Sequence, residues 1–174
     1  YSKNADDLKE DFTTLILDCP LPLPAGGQKV SFQTLIEETL QETCSIEAVI
    51  NIHEKLNEMI EEHKEDPVPL TLDKEEVKTV FASSGVSNEK MELFDRCYDA
   101  TAGEKTELVV NNVVNTRTFE VKMPDVVIKV NPERMDLVET KTIDGKECLV
   151  ISLGNDVEVN GITVRRSFHE EERD

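Results

Sequence analysis

The spacing of apolar residues changes along this chain, and each change marks a different kind of element. Residues 12–17, FTTLIL, are a short run rich in strand-forming residues and read as a buried strand. In the PLPLPAGG stretch that follows, Pro20, Pro22 and Pro24 preclude a helix, and Gly26 and Gly27 read as a closing turn. The period then becomes helical. Phe32, Leu35, Ile36 and Leu40 predict a short amphipathic helix with Ser31 as its N-cap.

A longer helix is predicted after Ser45, with Ile46, Val49, His53, Leu56, Ile60 and His63 as one stripe. Its other faces carry Glu47, Glu54, Glu58, Glu61 and Glu62, and it should stop before Pro67 and Pro69. Asp73 and Glu76 have the spacing of a capping box, and Leu72 with Val77 can close a hydrophobic staple across it. Gly85 is placed to end that helix and Ser87 to start another, whose apolar face is Met91, Phe94 and Tyr98 and whose end is Gly103.

From there the alternation is of strand type, in FEVKM, VVIKV, DLVETKTI, ECLVISL, VEV and ITVR. Asp144-Gly145 and Asn160-Gly161 sit between such runs. Both central residues of a type I′ turn need positive φ, which Gly adopts freely and Asn or Asp more readily than most. The expected fold class is therefore α+β. Residues 1–30 are an extended strand and Pro-rich connector, 31–103 a helical region, 104–166 an antiparallel β-meander with two type I′ hairpins, and 167–174 a charged tail that frays.

Composition narrows the function more than the fold. The 174 residues hold 37 acids and 19 bases, a formal charge of −18. Residues 1–66 alone have 15 acids against 5 bases, a net of −10. Such a field repels phosphate backbones and anionic membranes and favours a basic partner. No apolar run approaches the ~20 residues a membrane-spanning helix needs, so no membrane role is expected. Cys19, Cys44, Cys97 and Cys148 are far apart and form no C-x-x-C pair. They read as reduced cytoplasmic thiols, with neither a disulfide framework nor a zinc site between them. A chain that opens on Tyr1 also reads as a piece of something longer.

Candidate chemistry mostly fails on spacing. HEKLN at 53–57 starts like a zincin helix but has Asn57 where the second histidine is required. His63 is ten residues from His53, ~15 Å along a helix axis and too far to share an ion. There is no G-x-S-x-G elbow, and AGGQKVS lacks phosphate-loop spacing. FASSGVSNEKMELF resembles a helix-turn-helix, yet Glu89, Glu92, Asp95 and Asp99 against Lys90 and Arg96 make its second helix net negative. A structural helical hairpin is the better reading. One feature runs the other way: Lys129, Lys141, Arg165 and Arg166 intersperse the β region and could share a sheet face as a basic patch.

Beyond these patterns, NIHEKLNEMIEEHKEDP, LDKEEVKTVFASSGVS and PDVVIKVNPERMDLVETKTIDGKECLVI with VEVNG resemble the C-terminal portion of a bacterial family known only as a domain of unknown function, found largely in clostridia and related Gram-positive bacteria. The resemblance covers most of the chain, implies a preceding N-terminal region, and brings no activity or site residues. FEVKM through CLVI is also similar in style to the C-terminal region of the nucleoid-associated protein family, which implies chromosome association. The acidity of this chain opposes direct DNA contact.

The sequence thus points to a non-catalytic protein-interaction or assembly module of a longer protein, cytoplasmic, with no cofactor and no metal. Its expected partner surface is Glu54, Glu58 and Glu61, facing an unidentified basic protein. The alternative is nucleic-acid binding through the β region.

Overall fold

The computed structural model describes residues 23–154 and 156–164. The strand expected at 12–17, Cys19, Arg165, Arg166 and the tail lie outside them.

The first helix, α1, runs Ala25–Leu40, starting seven residues earlier than a helix capped by Ser31 would. Pro24 takes the N-cap position with φ −62° and ψ 155°, so the connector's last proline starts a helix instead of excluding one. Gly26 and Gly27 fall in the first turn, where backbone N–H groups have no helical partner in any case. Gln28 secures that turn: its Nε2 donates to the Leu23 carbonyl, while its Oε1 accepts from Val109 N and Asn112 Nδ2. Ser31 serves packing instead, its hydroxyl donating to the Thr101 carbonyl at 2.8 Å.

After a 3₁₀ turn at Gln41–Thr43, helix α2 spans Ile46–Glu62, capped by the Ser45 side chain on Ala48 N. Its core face is Ile52 and Leu56, fully buried, with Val49 and Met59 partly so. The stripe read from the sequence was displaced by one residue at Ile52, and His63 is exposed at the C-cap. Helices α3, Lys74–Ser83, and α4, Asn88–Thr101, form the expected hairpin around Gly85, whose φ is +87°. The Asp73–Glu76 capping box is complete in both directions, at 2.9 Å each. Lys74 on Asp99 and Lys78 on Asp95, each at 2.7 Å, tie α3 to α4. Two of the four acids of the would-be reading helix, Asp95 and Asp99, are spent on its neighbour.

A two-residue antiparallel ladder, β1 (Thr71–Leu72) with β2 (Leu108–Val109), closes this region, followed by the single-turn helix α5 (Val110–Val113). Both fall where periodicity had no signal. The core is an aromatic chain, Phe32–Phe81–Phe94–Tyr98, with centroid spacings of 6.2, 5.1 and 5.8 Å, surrounded by aliphatic side chains of all four longer helices. Tyr98 donates its hydroxyl to the Thr106 carbonyl, and burial pushes the phenol up to about 12.

Strands β3 (Phe119–Lys122) and β4 (Val127–Val130) form a hairpin. So do β5 (Val138–Ile143) with β6 (Lys146–Ile151), and β7 (Val157–Val159) with β8 (Ile162–Val164). The turns at Asp144-Gly145 (φ +50° and +74°) and Asn160-Gly161 (φ +50° and +81°) have the type I′ signs. The continuous meander does not form among the described residues: each hairpin is its own two-stranded sheet. Between β4 and β5 the chain folds as a kinked turn over Pro132–Leu137, in which Asn131 Oδ1 accepts from Glu133 N, and this breaks the ladder. Compact units end and begin at Met135 and Asp136. No described helix is long and apolar enough to cross a membrane.

Candidate functional site

Three elements of the first unit, α1, α2 and the β3–β4 hairpin, enclose an open cleft of about 590 Å³. That lies within the ~300–1,000 Å³ usual for ligand sites. Ile36, Val49, Val113 and Phe119 make its apolar lining, and Glu37, Asn57, Glu120 and Lys129 are among its polar groups.

Helix α2 builds one wall by arithmetic of turn. Val49, His53 and Asn57 recur every four residues and line the cleft, about 100° around the axis from the buried Ile52 and Leu56. Glu54, Glu58 and Glu61 lie a further ~100° on and are not among the residues that line the cleft. The acidic row picked from the sequence therefore shares its helix with an opening that the sequence did not reveal, but lies beyond that opening's lining. Glu58 pairs with Lys55 at 2.9 Å and Glu61 with Lys64 at 3.0 Å, both exposed, and such pairs are weak and yield readily to a partner. Five glutamates against one lysine leave α2 strongly negative.

His53 is the group whose surroundings shift it most tellingly. Burial pushes its imidazole below the ordinary histidine value, with the Val49 carbonyl, 2.9 Å from Nδ1, partly opposing. A carbonyl only accepts, so Nδ1 carries the proton and the neutral ring keeps Nε2 as an acceptor. The ring meets Phe119 edge-on at 5.6 Å. Cys44, also on the cleft, is pushed up by burial and then by the Glu37 carboxylate, which keeps the thiol protonated and a poor nucleophile. No hydrogen bond joins Cys44 to His53 among the described residues. Nor do any three described His, Cys, Asp or Glu side chains converge as a metal site.

Of the sequence's basic candidates, Arg165 and Arg166 lie outside the described residues. Lys129 lies on β4 and pairs with Glu120 across the hairpin at 3.3 Å; Lys141 lies on β5 and pairs with Glu139 at 2.6 Å. Phe119, Glu37 and Cys44 were missed. Nothing local to those residues betrays the cleft, because it is made by elements distant in sequence; only Asn57, one turn beyond His53, carried a signal.

A family model described as a domain of unknown function (DUF4317) matches residues 1–162. No curated protein and no solved structure matches the chain.

Proposed function

The chain belongs to the DUF4317 family, and from that premise we propose that it is a non-catalytic interaction module whose cleft receives a basic segment of a partner protein. The observation that carries this reading is the acidic row Glu54, Glu58 and Glu61 on α2, the helix whose Val49, His53 and Asn57 line the cleft, on a chain of charge −18. Apolar lining supplies contact area, and the acidic row of α2 supplies steering and selection for Lys or Arg. The protonated Cys44 thiol and the neutral His53 ring also favour binding over covalent chemistry. The module works in a reducing compartment, the cytoplasm; the free thiols Cys44, Cys97 and Cys148 support this.

The test is fluorescence anisotropy of labelled Lys- and Arg-bearing peptides across a salt series. Binding should weaken with salt, and Glu54→Lys, Glu58→Lys and Glu61→Lys together should weaken it by about tenfold or more. Unchanged affinity in the triple variant would overturn the placement. Labelled DNA and RNA serve as the opposing arm. Nucleic-acid binding lost on changing Arg165 and Arg166 to Ala would replace this reading with the alternative, although glutamate pairing of Lys129 and Lys141 weighs against it.

A further inference from the structure

Resting on the reading of the cleft as a site for a basic segment, we infer how that segment is held: it enters extended and adds as a third strand to the outer edge of β3.

The register of the β3–β4 hairpin fixes which backbone groups are spent. Met123 N donates to Val126 O at 2.8 Å and Val126 N to Met123 O at 3.4 Å, so these two residues form the hydrogen-bonded pair closing the Pro124-Asp125 turn. Pairs alternate in an antiparallel ladder. Val121↔Ile128 and Phe119↔Val130 are therefore bonded pairs, whereas Lys122↔Val127 and Glu120↔Lys129 are not. The N–H and C=O of Glu120 consequently point away from β4, to the outer edge of β3. Among the described residues no other strand takes them up.

That edge borders the cleft. Thr118, Phe119 and Glu120 all line it, although successive side chains of a strand project to opposite faces. Thr118 leads into the strand, and Phe119 and Glu120, which project to opposite faces, both reach the opening, as they do where the strand's edge borders it; Lys129 of β4 reaches it beside Glu120. Phe119 points to the face that meets His53, and Glu120 to the other.

The chemistry of the occupant follows from strand geometry. A residue paired opposite Phe119 places its side chain on the same face, against Phe119, Val49 and Ile36, and should be apolar. Its neighbour, opposite Glu120, projects beside the carboxylate that Lys129 pairs with at 3.3 Å, and a Lys or Arg there would share or take over that exposed pair. The ligand is an extended stretch of alternating apolar and basic residues, held by main-chain bonds and selected by side chains.

The probe is a capped seven-residue peptide of alternating valine and lysine, titrated by NMR against the whole chain. Two N-methylated versions, blocking alternate amides in opposite phase, accompany it. One phase should bind like the parent and the other lose about tenfold or more, since a strand offers alternate amides to one neighbour. On the protein, Glu120→Pro removes only the outward N–H and leaves the ladder to β4 intact; it should lose about tenfold beyond Glu120→Gln, with the hairpin's amide shifts retained in both. If both methylated phases bind like the parent, strand addition is overturned while the reading of the cleft as a site for a basic segment stands. If the parent peptide itself does not bind, the reading of the cleft as a site for a basic segment falls and strand addition with it.

Discussion

His53 sits where protonation would bury a charge, and that gives the fold a pH dependence of known sign. Its folded-state value lies below the ordinary 6.5, with burial as the main cause. As pH drops through the region below 6.5, the unfolded chain takes up a proton that the folded chain resists, so stability declines with acidification there and is fully present above it. Glu37, Glu120, Lys29 and Lys129 share the cleft, yet burial outweighs them. Urea unfolding at pH 7 and pH 5.5 should show a lower midpoint at the acidic pH. His53→Phe, which keeps an aromatic edge against Phe119, should flatten that difference. An equal pH response in both proteins would mean the imidazole is not the titrating group. Glu42, held low by its own backbone hydrogen bond and then by Lys90, loses its contribution only as pH falls from the ordinary carboxylate value of 4.5 downward, so the two windows separate. That His53 would pack was readable from its place among Val49, Leu56 and Ile60. That Phe119 would be its neighbour was not, because a helical stripe says which way a residue faces but not what arrives there.

Element ends were legible wherever the signal is local, and caps make the point quantitatively. Ser45 accepts from Ala48 N at 3.1 Å and Asp73 from Glu76 N at 2.9 Å, whereas Ser87, an equally good N-cap by sequence, makes no side-chain cap bond. Ser45→Ala and Asp73→Ala should each cost about 1 kcal/mol, and Ser87→Ala close to nothing. Denaturant midpoints for the three variants, compared at equal slope, decide it; a Ser87 cost matching the others would show that the cap forms in solution. The same locality explains why the two Gly-containing hairpin turns were predicted correctly while the start of α1 was not. Asp-Gly and Asn-Gly dictate φ signs by themselves, but whether Pro24-Ala25-Gly26-Gly27 coils depends on Gln28 reaching Leu23, Val109 and Asn112. The β1–β2 ladder, two residues on each side, is too short to impose any period on the sequence.

At the scale of the molecule, apolar burial is divided unevenly between the two units. The aromatic core and its aliphatic surround run from Phe32 to Val114, wholly before Met135. After Asp136 come two hairpins in which Ile143, Ile151, Val159 and Ile162 remain 40–70% exposed, and Val157, Val159, Ile162 and Val164 share one face of β7–β8 by register. Composition gave no hint of this division, since β-branched residues are as dense in the exposed hairpins as in any buried strand. An isolated two-stranded hairpin is marginal in water, whereas a helical core of this kind suffices for cooperative folding. A chain ended at Met135 should therefore keep a single sharp thermal transition with its midpoint within a few degrees of the full chain. Residues 136–174 as a separate peptide should show no cooperative transition by circular dichroism. Loss of cooperativity in the shortened chain would mean that the hairpins contribute to the stability of the helical core, and the two units would then have to be treated as one folding unit.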